Sequence, residues 1–114
     1  MNELDKYVNE LKKMGFIYGW QNNYDDKGID IFLFFNKTPH LIKDCYDVDV
    51  AIDIVNTNNA KRFCCTTYDD ITYASKVVDR CEWFNVRNNK WDIAFCELKE
   101  YLKNNVKFNG LIYE

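Results

Sequence analysis

Glycine and proline are scarce in this chain of 114 residues, which contains four glycines and one proline. These low contents exclude collagen-like repeats and flexible linkers rich in proline or glycine. Hydrophobic residues make up 47% of the sequence and aromatic residues 17%, which is enough to form a packed core. A chain of this length buries roughly two thirds of the surface that its unfolded form exposes. We therefore expect a single domain over residues 1–114.

Long hydrophobic runs are also missing. The longest run, Ile31–Phe35, is far too short to span a bilayer, and the N-terminal segment lacks the apolar core of a signal peptide. We therefore expect a cytoplasmic protein that has no membrane partner.

Metal-binding patterns are weak, because the chain has a single histidine and none of its five cysteines forms a Cys-x-x-Cys pair. The odd number of cysteines fits reduced thiols better than a disulfide framework. We therefore expect no metal and no cofactor. A zinc-stabilised binding module stays open as an alternative, with these candidate ligands: His40, Cys45, Cys64, Cys65, Cys81 and Cys96.

Positive charge is not in excess. The chain has 15 basic and 18 acidic side chains, which gives a net charge of -3. Proteins that bind the phosphate backbone usually carry a strongly basic surface. We therefore expect no direct contact with nucleic acid.

The N-terminal residues MNELDKYVNELKK have the features of a capped helix. Asn2 can act as the N-cap, and Asp5 stands three residues later in the capping-box position. Gly15 follows directly after the expected last turn, where a left-handed residue commonly ends a helix. The buried stripe is expected to contain Leu4, Val8 and Leu11.

The next segments predict an antiparallel meander of about four strands. The first two, Phe16–Gln21 and Ile29–Phe35, should form a hairpin. The third runs from Tyr46 to Val55, and Arg62–Tyr68 should return beside it because it is rich in β-branched and aromatic residues.

The C-terminal half predicts two further helices and a short hairpin. The second helix should run from Asp69 or Asp70 to about Phe84, with these apolar residues at helical spacing: Ile71, Ala74, Val78 and Cys81. The third should run from Asn88 or Asn89 to about Asn104, with this buried stripe: Trp91, Phe95, Leu98 and Leu102. Asn109-Gly110 is a hairpin-turn signal between residues 106–108 and 111–113. The predicted fold class is thus α+β, with the helices packed on one sheet face.

An acidic pattern distinguishes the third strand. Asp47, Asp49 and Asp53 share one parity, while valine and isoleucine occupy the other, so one face is core and the other carries carboxylates. Such carboxylates could hold a divalent metal in a hydrolase. No glycine-rich phosphate loop accompanies them, and the one Glu-x-Lys sequence lies in a predicted helix. A metal-dependent hydrolase is therefore only an alternative, beside a solvated face or a docking face for a basic partner.

Aromatic residues could complete such a docking face. Phe32 and Phe34 alternate with core positions on the second strand, and they would lie beside the aspartates if the strands share register. The hairpin loop adds Tyr24 as an exposed contact, followed by Asp25 and Asp26. The predicted partner-binding set therefore contains Asp47, Asp49, Asp53, Phe32, Phe34, Tyr24, Asp25 and Asp26.

In size, acidity and the capped helix MNELDKYVNELKK leading into a hairpin, the chain resembles small phage-encoded inhibitors of the anti-CRISPR kind. It is also similar to immunity proteins and antitoxins that neutralise a toxin by binding it. The resemblance implies a non-enzymatic inhibitor of a basic, nucleic-acid-handling protein, with carboxylates placed where phosphates would lie. A homodimer formed through the exposed sheet is a further expectation.

Overall fold

The computed structural model describes residues 3–25, 27–36, 48–72 and 75–113, which form an α+β fold. Its elements in chain order are α1 (Asp5–Met14), β1 (Ile17–Asn23), β2 (Ile29–Phe35), β3 (Val50–Asn56), β4 (Lys61–Thr72), β5 (Ser75–Asn85) and α2 (Trp91–Asn105). The five strands form one antiparallel sheet in the order β1-β2-β3-β4-β5. Each strand therefore pairs with its neighbours in sequence, as in a meander.

The predicted first helix is confirmed as α1, but its start differs from the prediction. Leu4 occupies the N-cap position and makes no side-chain capping bond, so Asp5 lies in the first turn rather than in a capping box. Asn2 lies outside the described residues. The end follows the prediction, since Gly15 has a φ of 115° and its N–H donates to carbonyls of the last turn.

Both helices pack on the same face of the sheet. That face presents alternate residues of the strands, among them Leu33, Ile52 and Phe63, all fully buried. Helix α2 contributes the stripe that its sequence predicted, namely Trp91, Phe95, Leu98 and Leu102. Tyr7 from α1 lies between these layers, with its ring centroid 5.4 Å from that of Phe63 and 5.0 Å from that of Phe95.

The predicted second helix is wrong, because residues 75–85 form β5 and β4 extends to Thr72. The apolar residues of this segment recur at helical spacing, but its β-branched residues, such as Val77 and Val78, favour a strand. Pairing with β4 satisfies the backbone groups along one edge of β5 and places Phe84 opposite Phe63 on the core face. The sheet therefore has five strands where about four were expected, and the described residues form two helices instead of three.

The predicted C-terminal hairpin is also wrong, because residues 106–113 contain a turn but no strand. The Ile112 N–H donates to the carbonyl of Met14 at the end of α1, and Val106 is buried in the core. Gly110 has a φ of 108°, and a Cβ on it would lie 3.1 Å from the Phe35 ring. The segment thus packs against α1 and β2. Its apolar side chains are buried in these contacts and do not pair across a hairpin.

Neither α1 nor α2, the helices of the described ranges, combines the length and apolar character that a membrane span requires.

Candidate binding face

The sheet face opposite the helices, which we call the open face, is covered by no helix or strand of the described residues. The strand register arranges its side chains in three rows that each cross all five strands. The central row is Trp20, Phe32, Asp53, Cys64 and Trp83. The flanking rows are Asn22, Asp30, Val55, Arg62 and Asn85 on one side, and Ile17, Phe34, Ala51, Thr66 and Cys81 on the other.

Three stacked aromatic rings form an apolar cluster at the β1–β2 side of the open face. The ring centroids of Trp20 and Phe32 are 5.0 Å apart with planes 11° from parallel, and those of Phe32 and Phe34 are 6.0 Å apart. Trp20 is 43% exposed, Phe32 is partly buried, and Phe34 is only 7% exposed. The cluster therefore presents mainly the Trp20 ring to solvent.

Gly19 makes room for this cluster. The register of β1 shifts between Tyr18 and Trp20, so that Gly19 is an extra residue in the strand. A Cβ on Gly19 would lie 2.7 Å from Cδ1 of Phe32, which is closer than side chains tolerate. The missing side chain thus lets the Phe32 ring lie flat over the backbone of β1.

Two carboxyl groups face each other in the middle of the open face. Asp53 lies on β3 and its side chain hydrogen-bonds to Asp30 on β2. Burial is the main cause that raises the pKa of Asp53 to about 7, and the charge and hydrogen bond of Asp30 raise it further. Oδ1 of Asp30 is buried without a hydrogen-bond partner among the described residues, and Oδ2 accepts a long bond of 3.4 Å from the Tyr24 hydroxyl. The pair therefore concentrates negative charge that is incompletely compensated.

The β4–β5 side of the open face combines a cation with a second exposed tryptophan. The guanidinium carbon of Arg62 lies 4.1 Å from the ring centroid of Trp83, a cation–π geometry, and Trp83 is 57% exposed. Burial raises the pKa of the neighbouring Cys64 thiol to about 11, although the charge of Arg62 opposes this shift. The thiol is therefore neutral at physiological pH.

The register brings together several of the residues predicted from sequence. Phe32 stands directly opposite Asp53, and Phe34 occupies the same face one row away. Tyr24 and Asp25 are exposed in the loop between β1 and β2. The shared register that the sequence left open is thus present in the structure.

Other predicted residues are placed differently. Asp49 is only 1% exposed, and its N–H donates to the carbonyl of Phe35 just before β3 begins. The carboxyl group of Asp49 therefore does not reach the surface, and among the described aspartates of β3 and its approach only Asp53 contributes to the open face. Asp26 and Asp47 lie outside the described residues, and their predicted part in binding stays a prediction.

Four residues of the open face were missed by sequence reasoning: Asp30, Trp20, Arg62 and Trp83. Trp20 alternates with Phe16 and Tyr18 in the sequence, but the extra residue Gly19 shifts it to the other face. The sequence predicts a helix for the segment that contains Trp83, so it does not place this residue on the sheet. Asp30 has the same parity as Phe32 and Phe34, and this was a signal that could have placed it on their face of β2.

The candidate metal ligands do not converge within the described residues. Cys64 points to the open face and Cys65 to the core, as strand geometry requires. Cys81 is exposed on β5 rather than on a helical stripe, and Cys96 is exposed on α2. Within residues 3–25, 27–36, 48–72 and 75–113, no group of three histidine, cysteine or acidic side chains is placed to hold a metal. His40 and Cys45 lie outside those ranges.

Comparison of the chain with protein-family models, with curated proteins and with solved structures found no match.

Proposed function

We propose that the protein is a non-enzymatic inhibitor that docks through its open face onto a larger, basic protein that handles nucleic acid. The observation that carries this proposal is the composition of the face: exposed Trp20 and Trp83 stand at its two sides, with the Asp30–Asp53 pair between them. Protein interfaces combine aromatic anchors with polar groups in this manner.

The two tryptophans supply the apolar part of the docking surface. Each is held by a neighbour on the sheet, Trp20 by the Phe32 ring and Trp83 by the Arg62 guanidinium. Rings held in this way lose little conformational entropy on binding, so that more of the gain from burying them is retained. Tryptophan and arginine are also the residue types most often found in binding hot spots.

The carboxyl pair supplies the charge that selects a basic partner. Asp30 has a buried oxygen with no hydrogen-bond partner among the described residues, and the raised pKa of Asp53 reflects repulsion within the pair as well as burial. A lysine or arginine side chain of the partner would supply the missing donors and relieve this repulsion. Proteins that bind phosphates carry such basic side chains, and carboxylates can occupy the positions of the phosphates.

The two buried thiols of β4 are poorly suited to nucleophilic catalysis. Burial raises the pKa values of Cys64 and Cys65 to about 11 and about 12, which disfavours the nucleophilic thiolate at neutral pH. An immunity protein or antitoxin could use the same face, in which case the partner would be a toxin rather than a defence protein.

Binding assays test this proposal with an open-face variant and a control variant whose side chains are equally exposed, Trp83→Ala and Ile93→Ala. The full chain is immobilised, and purified nucleases and toxins from the cell that carries the gene are tested for binding to it. Trp83→Ala and Asp53→Asn should each weaken binding of the true partner at least about tenfold, equivalent to about 1.4 kcal/mol. Ile93→Ala removes a side chain that is 56% exposed on α2, remote from the open face, and should leave binding unchanged.

Inhibition must accompany binding. The unmodified chain should abolish the partner's activity at a fixed molar ratio. Trp83→Ala and Asp53→Asn should inhibit the partner less, in proportion to their weaker binding. Binding that is unaffected by both open-face substitutions would overturn the docking surface. Multiple turnovers of a substrate by the protein alone would overturn the non-enzymatic role.

A further inference from the structure

The outer edge of β1 is the less protected of the two strand edges of the sheet. Its sequence, IYGWQNN, contains no charged residue and no proline, which are two of the usual devices against edge pairing. A third device, a β-bulge, is present at Gly19 and protects only the part of the strand around it. The opposite edge strand, β5, carries Asp79, Arg80 and Glu82. An edge strand exposes a row of backbone N–H and C=O groups, and another extended segment can pair with this row in register. A second strand is therefore the partner that fits the free edge of β1.

The side chains of β1 are suited to pairing with a copy of the same strand. All seven residues of the strand are exposed, including the large apolar residues Ile17, Tyr18 and Trp20. The remaining side chains, of Gln21, Asn22 and Asn23, each donate and accept hydrogen bonds. An isologous interface requires a self-complementary surface, and a strand of apolar and amide side chains meets its copy without charge repulsion.

The bulge at Gly19 divides the strand and restricts where pairing can occur. Because a bulge distorts the edge, the regular stretch available to a second strand is the one that follows it, from Trp20 to Asn23. Directly opposed residues of an antiparallel pair share a sheet face. A two-fold axis through Gln21 would therefore place Trp20 of each copy opposite Asn22 of the other.

We propose that β1 pairs antiparallel with β1 of a second copy of the chain, which joins the two sheets into one. The open faces of both copies then become continuous, with their aromatic clusters side by side at the junction. The interface consists of one short strand pair and its flanking side chains, well below the area of a stable dimer. Association should therefore be weak and should depend on protein concentration.

Light scattering and sedimentation of the full chain test this proposal without any binding partner. The mass should rise from the 13.7 kDa of the monomer towards twice that value as the concentration increases from about 10 µM to about 1 mM. Gln21→Lys and Gln21→Glu should each remain monomeric, because each places like charges across the two-fold axis. An equimolar mixture of these two variants should associate again, since the charges are then opposite.

Val78→Lys is the matched control, because Val78 is exposed on the other edge strand. This variant should associate as the unmodified chain does, and circular dichroism should show that all variants keep their fold. A mass of 13.7 kDa throughout the concentration range would overturn the proposal. Association that survives both Gln21 substitutions, or that is abolished by Val78→Lys, would also overturn it. Failure of the inhibitor proposal would leave each of these results unchanged.

Discussion

At the scale of single residues, the Asp30–Asp53 pair is the most unusual feature of this sheet. Cross-strand neighbours of like charge normally destabilise a sheet, and most exposed sheet positions avoid them. One proton shared by the two carboxyl groups removes their charge repulsion, because the protonated group can donate a hydrogen bond to the ionised one. Protonation of this site should therefore influence both stability and binding.

The raised pKa of Asp53 predicts an inverse dependence of stability on pH. Between about pH 4 and pH 7 the native state binds more protons than the unfolded state, so the free energy of unfolding should fall as the pH rises through this range. Above pH 7 both states are ionised at this position and its contribution should level off. Asp53→Asn removes the ionisation and should be more stable than the unmodified chain at pH 8, by about 1 to 2 kcal/mol once solvent screening is allowed for.

Urea unfolding at pH 5 and pH 8 measures this effect, with the Asp53 titration followed independently by NMR of its carboxyl carbon. If the unmodified chain and Asp53→Asn lose stability equally between these pH values, the pair does not share a proton in the folded state.

The affinity for a cationic partner should show the opposite dependence on pH. Such a partner favours the deprotonated pair, so it should bind more tightly as the pH rises through 7.

At the scale of elements, the two helices and the three central strands carry the stability of the fold. Helix α2 shows this division clearly: one face contributes Leu98 and Leu102 to the core, and the other leaves Ile93 exposed. Surface ion pairs such as Lys6–Asp92, at 2.7 Å, join the helices on the outside but contribute little in water. Burial of the apolar stripe stabilises the packed helix more than these ion pairs do.

This division predicts contrasting effects for two substitutions on the same helix. Leu98→Ala removes a fully buried side chain and should lower the free energy of unfolding by about 2 to 5 kcal/mol. Ile93→Ala removes an exposed side chain and should change it by less than about 0.5 kcal/mol. Equal losses for both variants, measured by denaturant unfolding, would mean that α2 does not pack on the sheet through the Leu98 face.

At the scale of the whole molecule, the sheet has a different surface on each side. The helices fill one side with apolar side chains, and the other side is left to tryptophans, carboxyls and one arginine. A single layer of helices on a single sheet accounts for this asymmetry, because the described chain has no third layer. The open face is thus a consequence of the architecture as well as of the side chains placed on it.

Tryptophan fluorescence can test whether this face is uncovered in solution. At low protein concentration, iodide should quench the emission of the exposed residues Trp20 and Trp83 but not that of Trp91, which is buried. Trp83→Phe should remove a large part of the quenchable emission, whereas Trp91→Phe should remove the emission that iodide does not reach. Protection of Trp20 and Trp83 in the dilute monomer would show that another part of the chain covers the open face.

Local sequence patterns are sufficient for the elements that have one physical interpretation. The apolar stripe and Gly15 predicted α1, a short run of β-branched and aromatic residues predicted β2, and strict alternation predicted the core parity of β3. The stripe from Trp91 to Leu102 predicted α2. These patterns are local, because each element exposes one face to water and buries the other. The sequence also placed Phe32 on the face of β2 opposite to that of Ile31 and Leu33.

Features that depend on pairing between distant segments are not encoded in any local pattern. Residues 75–85 carry apolar residues at helical spacing, but hydrogen bonding to β4 makes the segment a strand. The C-terminal residues carry a hairpin signal, but packing against α1 and β2 outweighs the local turn preference. The open face itself results from register, which alone brings Asp30 to Asp53 and aligns Trp20, Phe32 and Trp83 in one row.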